Sequence, residues 1–433
     1  MPVYVADHYE GFEVKTFAEM SEAEVETYIE SNVTAVREVG ERIGGIDAAL
    51  SNHLVMGPVI LARAGLGRAA GGIGYASKIH GSALEFTVKP EIERFGPYAR
   101  EGVDAASGIL VGSHHTAASL WAALDDPGLP ERTRLGPTGV DIELFAPLER
   151  AGATDVLTEL ASDLRALPTD HAAAFARDTA EAAEAVDQLA EASGARAVFV
   201  GKLIDTKGVD LLLAGWPLVV AANPGSRLLI AGFGEGRERI EGFSEALGRG
   251  DLAAAELLAR GKAGDREWKM TLAFLANAPK GYAEDAAASA GSVCFSGRLE
   301  HDEVGRLVPA TDSLVMPSTF PEAFGMVAAE AASAGVLPVS AAHSGMLEVS
   351  RELAKTLPGA TKSLVSFDLG DGAVEAIAGN LRAWLALDEA TAAETRSALS
   401  ATAARLWSWE GVAKKILSAS AGDLDALPAV LSE

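Results

Sequence analysis

The sequence predicts an α/β protein built from two halves, each a parallel sheet wrapped in helices, facing one another across a cleft. Three observations carry that expectation. The chain has 433 residues, more than one hydrophobic core usually organises. Short apolar runs alternate with helical segments, as in a parallel sheet with crossover helices. The alternation stops over residues 148–194, an Ala/Glu/Asp-rich helical stretch, and then restarts. The expected divisions are residues 1–147, a helical linker 148–194, a second sheet domain 195–408, and a last helix in 409–433 that returns toward the first domain.

The elements follow in order. Met1–Ala6 reads as a strand stub or a loop. Ser21-Glu-Ala-Glu24 is a capping box, in which serine and glutamate satisfy each other's backbone donors. Val25, Tyr28, Ile29, Val33, Val36, Val39 and Ile43 then recur at helical spacing until Gly44-Gly45 ends the pattern. Strands are expected at Ala48–Asn52, Gly74–His80 and Ser107–Gly112, with helices at Pro58–Ala64 and His114–Leu124. Arg134–Asp141 closes this half. The second half offers strands at Ala197–Val200, Arg227–Ala231, Ser292–Phe295, Ser313–Met316, Val336–Ser340 and Ser363–Phe367. Between the second and third of these lies a long, largely helical insert, about 236–290.

Composition narrows the function. With 48% apolar and 22% charged residues the chain is globular. Its single cysteine, Cys294, allows no internal disulfide and fits a reducing, cytoplasmic setting. No signal-peptide pattern opens the sequence, and no apolar run reaches the length of a membrane span. The formal net charge is −25, and residues 1–147 hold 11 Lys and Arg against 21 Asp and Glu. Nucleic acid needs a basic footprint, and so does an anionic lipid surface; neither is an expected partner.

The chemistry concentrates at Ser318–Gly335. An apolar strand ends at Pro317, a turn follows, and an alanine-rich helix opens near Phe324 and Gly325. Such a terminus presents unpaired N–H groups and partial positive charge, suited to an anionic or hydroxyl-rich ligand. Glu322 stands just before the helix and Glu330 within it; both also read as plain surface acids. Gly201-Lys-Leu-Ile-Asp-Thr-Lys-Gly208 joins a strand to a helix. Its terminal glycines admit close backbone approach, and Lys202 and Lys207 bring two ammonium groups suited to a diphosphate. The alternative is an ordinary loop with solvated lysines. Gly232-Phe-Gly-Glu-Gly236 looks like a dinucleotide fingerprint, but the third glycine would fall at Arg237, so no nicotinamide or flavin cofactor is expected. His80 ends a strand, where open α/β sheets bind ligands, although a lone histidine is often structural. The eight histidines and one cysteine show no metal-ligand spacing, and no nucleophile elbow is present.

Taken together, these segments resemble the retaining glycosyltransferases of the glycogen-synthase-like family four, which have the two-Rossmann GT-B fold. Val200–Gly208 is similar to that family's G-R-L-x-x-x-K-G loop, Phe295–Leu299 with Glu303-Val304 to its F-x-G segment, and Pro317 through Glu330 to its E-x7-E signature. Ile79-His80-Gly81 resembles its H-G strand end, Gly136–Asp141 with Phe145 its P-N-G-V-D…F segment, and Trp407–Glu410 its aromatic step near the last helix. The resemblance implies transfer of a sugar, a hexose by expectation, from a nucleotide-diphosphate sugar, with retention of configuration and without a metal or cofactor. Lys202 and Lys207, with Gly201, would neutralise the diphosphate. Glu322 and the backbone N–H groups of Phe324, Gly325 and Met326 would hold the sugar, Glu330 the ribose, and Arg298-Leu299 the base. His80 would reach the sugar from across the cleft.

Two departures qualify the resemblance. Lys202 stands where the family has arginine, keeping charge without the bidentate fork. The family's opening strand and glycine-rich loop have no counterpart, so the N-terminal sheet is expected to lack its first strand. A non-catalytic nucleotide-sugar-binding protein and a sugar-nucleotide epimerase are the competing readings. The acceptor has no legible signature.

Overall fold

The computed structural model describes residues 2–4, 14–68, 73–167 and 177–430. Met1, Val5 and Ala6 of the expected first segment lie outside the described residues, as do 168–176 of the expected linker and 431–433 at the end. Strand β1 (Pro2–Val3) pairs in parallel with β2 (Lys15–Thr16), apart from the main sheets. The first long helix, Glu22–Arg42, starts at the expected capping box and buries Val25, Ile29 and Val33. Its far end projects outward, leaving Val39 and Ile43 exposed.

The N-terminal sheet consists of β3 (Ala49–Asn52), β4 (Tyr75–Ile79), β5 (Gly108–Val111) and β6 (Thr133–Leu135), all parallel, in the order β3-β4-β5-β6. β4 and β5 are buried along their whole length; β5 accordingly reads as a continuous apolar run, whereas β4 also buries Ser77 and Lys78. Neither β6 nor the helix Ile92–Ala105 had a sequence expectation. Thr133–Leu135 is too short to show a period, and Gly96, Pro97 and Gly102 interrupt the helical pattern.

The C-terminal sheet has six parallel strands: β7 (Arg196–Val200), β8 (Arg227–Ala231), β9 (Val293–Gly297), β10 (Ser313–Met316), β11 (Leu337–Ala341) and β12 (Ser366–Phe367). Their spatial order is β12-β11-β10-β7-β8-β9, so the winding reverses between β7 and β10. The expected strand Ser363–Phe367 shortens to two residues because Leu364 N–H turns back to the Thr361 carbonyl. The insert forms four helices, Arg237–Gly248, Leu252–Arg260, Lys269–Ala276 and Tyr282–Ala288. The helices Ala153–Ala166 and Thr179–Ala190 pack together and bury Leu157, Leu160, Val186 and Leu189 in the core of this half.

The halves meet at two adjacent chain crossings. Val140 N–H donates to the Trp407 carbonyl at 2.7 Å, and Val140 bridges Ser408 in parallel. Beyond that point the helix Trp409–Ala421 packs on β4 and β5, with Ala419 in a small cluster with Ala76, Leu110 and Leu427. Among the described residues no helix is long and apolar enough to cross a membrane.

Candidate functional site

The winding reverses between β7 and β10, and their C-terminal loops, 201–208 and 317–325, lie together at this switch point, where open α/β sheets bind ligands. The two segments singled out from the sequence are these two loops. Gly208 sits at φ +65° with its Cα against the second loop; an added Cβ would lie 2.1 Å from the Pro317 carbonyl. Only glycine allows that approach. Thr319 N–H and Ser318 Oγ donate to the Thr206 carbonyl at 2.8 and 3.1 Å. Lys207 Nζ then donates to Glu322 Oε1 at 2.5 Å, and Ser318 Oγ donates to the same oxygen at 2.9 Å.

A third loop supports the turn from β11. Ser344 Oγ accepts from Glu322 N–H at 2.9 Å, the His343 ring Nε2 lies 2.8 Å from the Ser318 carbonyl, and Gly345 N–H donates to the Glu322 carbonyl at 3.0 Å. The helix Met326–Ser333 opens at Gly325. Among the described residues the amide N–H groups of Phe324, Gly325 and Met326 meet no acceptor. Phe324 is buried edge-on against Trp407, whereas Met326 is exposed. Glu330 is 6% exposed. Among the described residues no hydrogen bond or ion pair reaches its carboxylate, and burial pushes its pKa up to about 7.

From the opposite half, the end of β4 comes against this turn. A Cβ on Gly81 would lie 3.6 Å from the Ala323 side chain, and Gly112 and Thr116 approach the Ala323 carbonyl. His80 precedes Gly81; its Nε2 lies 3.0 Å from Asn52 Oδ1, and its ring centroid 5.0 Å from that of His53. Burial first, then the neighbouring His53 and Lys78, lower the His80 pKa to about 4. The ring is therefore neutral at pH 7. Nearby, Glu348 accepts from the backbone N–H of His114 at 2.8 Å and of His115 at 3.1 Å, and from the His114 ring at 2.9 Å. A carboxylate from one half thus meets a helix N-terminus of the other, a favourable dipole contact. Phe86 stacks on Phe320 across the same mouth at 6.0 Å.

The structure therefore gathers Lys207, Glu322, Phe324, Gly325 and Met326 at one loop junction, with Glu330 buried further along the helix and His80 on the facing edge. Gly201 and the exposed Lys202 begin the lysine loop. Arg298 and Leu299 follow β9, two strands from β7, where Arg298 pairs with Glu300 at 3.0 Å and lies 6.0 Å from the Phe233 ring. The glycines of 232–236 serve backbone packing. A Cβ at Gly232 would sit 1.9 Å from the Gly201 carbonyl, and Gly234 and Gly236 press on Leu203. Sequence reasoning missed Asn52, His343, Ser344 and Glu348. The available signal was position: Asn52 ends β3, and His343-Ser344 directly follow β11 at the same sheet edge. Among the described residues no group of three or more His, Cys, Asp or Glu is placed to hold a metal ion.

Comparison with known proteins agrees with this architecture. Residues 282–401 match the family model of the glycosyl transferases group 1. No curated protein matches the chain by sequence. Among solved structures, sucrose-phosphate synthase from Thermosynechococcus elongatus superposes with a TM-score of 0.56 at 18% identity, covering 94% of this chain and 81% of that one. Anabaena Alr3699/HepE in complex with UDP-glucose gives 0.55 at 17% identity, covering 96% and 86%. A glycosyltransferase from Rickettsia africae gives 0.54 at 12%, covering 94% and 84%. At these identities the likeness establishes the fold: two Rossmann-like parallel-sheet domains in the GT-B arrangement.

Proposed function

We propose that the chain is a glycosyltransferase that moves a sugar, a hexose, from a nucleotide-diphosphate sugar to an acceptor, with retention of configuration and without a metal. The observation that carries this is the Lys207–Glu322 pair across the β7/β10 reversal, beside a helix N-terminus whose first N–H groups have no acceptor among the described residues. Support also comes from the group 1 match over residues 282–401 and from the HepE structures, which hold UDP, glucose or UDP-glucose.

The chemistry follows from charge. Breaking a nucleotide–sugar bond builds negative charge on the diphosphate, and fixed cations there lower the barrier. Lys207 and Lys202 supply them beside Gly201. When Lys207 turns to phosphate it releases Glu322, whose carboxylate then accepts hydroxyls of the sugar alongside the N–H groups of Phe324, Gly325 and Met326. Glu330 receives the ribose hydroxyls, which give a buried carboxylate the hydrogen bonds it needs. Arg298 and Leu299 border the base. His80, neutral and steadied by Asn52, faces the reacting carbon, and the departing phosphate takes the acceptor proton.

The test is a thermal-shift panel of UDP-, GDP- and ADP-sugars, then donor turnover with and without acceptors in the presence of EDTA. Stabilisation by one donor, acceptor-dependent turnover insensitive to chelation, and an NMR product of unchanged anomeric configuration are expected. Turnover without an acceptor would replace transfer by epimerisation or hydrolysis. Binding without turnover would leave a nucleotide-sugar-binding protein.

A further inference from the structure

The helical insert at 237–288 reaches the lysine loop through one side chain. Asp205 opens the 3-10 turn Asp205–Lys207. Its Oδ1 accepts from Trp268 Nε1 at 2.8 Å and from Arg239 Nη1 at 3.1 Å. Trp268 precedes the insert's third helix and Arg239 lies on its first. Both donors are immobilised. Trp268 is 5% exposed and packs edge-on against Phe243. The Arg239 guanidinium sits 3.9 Å from the Trp268 ring centroid and donates to the carbonyls of Leu258, Ala259 and Arg266 at 2.8 to 3.0 Å. A second tie lies a turn further on, where Thr271 Oγ1 donates to the buried Asp210 at 2.5 Å.

The loop is thus gripped from two sides. Ser318 and Thr319 hold the Thr206 carbonyl, and the insert holds Asp205 next to it. Lys207 leaves the same turn to reach Glu322. A lysine has four rotatable stem bonds and places its charge poorly unless its backbone is fixed. We propose that the insert is a clamp for this loop, with Asp205, Trp268 and Arg239 as positioning residues that act through Lys207 and do not themselves touch the donor. The link to catalysis rests on the reading of Lys207 given above; the clamp itself is a property of the ligand-free chain.

The consequence is a separation of effects. Lys207 meets charge that grows as the bond breaks, so a displaced ammonium costs turnover more than donor binding. Two variants of the full chain test this. Asp205→Ala removes the acceptor, and Trp268→Phe keeps an aromatic ring beneath Arg239 while removing the indole N–H. In ligand-free hydrogen exchange, Trp268→Phe should speed exchange at residues 201–208 by about tenfold, the weight of one charge-assisted hydrogen bond, and Asp205→Ala, which removes two, by at least as much, with the amides of β7 and β8 unchanged. Exchange at 201–208 equal to wild type in both variants overturns the clamp, whatever the ligand. With the donor selected by the thermal-shift panel, kcat should fall about 10- to 100-fold and KM stay within about threefold. The double variant should lose no more than Asp205→Ala alone, because the bond that Trp268→Phe removes is one that Asp205→Ala has already removed. A loss confined to KM, or additive losses, overturns the positioning role. If no nucleotide sugar binds the wild type, the functional reading falls, while the exchange result still decides the clamp.

Discussion

The two sheets differ in how they are wound, and the difference locates the chemistry. The C-terminal sheet reverses between β7 and β10, the switch point at which open α/β sheets bind ligands, and the loops that follow these strands interlock there. The described N-terminal sheet runs β3-β4-β5-β6 without reversal. The first builds a gripping site from three interlocked loops. The second contributes a facing surface: Asn52 and His80, Gly81 and Gly112, and the start of the His114–Leu124 helix. The proposed sugar transfer would use this asymmetry, with the interlocked loops holding the donor and the other half left for the acceptor.

The largest effect should come from the crevice. Lys207→Ala removes the cation that answers the leaving diphosphate, and turnover should fall about 10²- to 10³-fold; Glu322→Ala should be comparably severe. Unchanged melting curves alongside lost activity would confirm that the crevice is chemical rather than structural. Full activity in either variant would move the site elsewhere.

Glu330 sharpens the comparison through pH. Its carboxyl titrates near 7 when folded against an ordinary 4.5. The stability tied to its proton is therefore complete below pH 4.5 and is lost as pH rises through 7. At pH 8 the buried charge costs at most about 3 kcal/mol. Glu330→Gln should melt higher than wild type at pH 8 and nearly the same at pH 4.5, while binding the donor nucleotide about tenfold more weakly. Melting scans at both pH values with nucleotide titrations check this.

Contacts between the halves should matter less. Glu348→Ala leaves the Ser113 cap of the His114–Leu124 helix but removes the acceptor of its first two N–H groups, and should cost about 1 kcal/mol, with a broader small-angle scattering profile as the cleft opens. Phe86→Ala should change stability by less than about 1 kcal/mol, since both rings of the Phe86–Phe320 pair are well exposed. A larger loss in calorimetry would mean that this pair holds the cleft shut.

The same asymmetry governs what was legible in the sequence. The lysine loop and the Glu322–Glu330 segment were readable because local chemistry shapes them: glycine where backbones touch, serine and proline in the turn, alanine in the helix. The capping box at Ser21 and most strands followed from local rules too. Ser344 and Glu348 were not readable, since their partners, Glu322 and His114, lie far away along the chain or in the other half. Trp268 and Arg239 stayed hidden because nothing local marks an insert side chain that closes on a loop 63 or 34 residues earlier. The helix Ile92–Ala105 was obscured by its own glycines and proline, tolerated because tertiary packing outweighs propensity.

One consequence of the paired crossings remains. The chain leaves the first half near Val140 and returns at Ser408, and these two points touch. The first half is thus a single unit interrupted in its sequence, completed only when Trp409–Ala421 lies down on β4 and β5. The second half is a cassette whose two ends emerge together, the arrangement in which excision and transplantation are tolerated. A gene fragment for the intervening residues encodes a portable module, whereas the first half is made alone by splicing Val140 directly to Ser408.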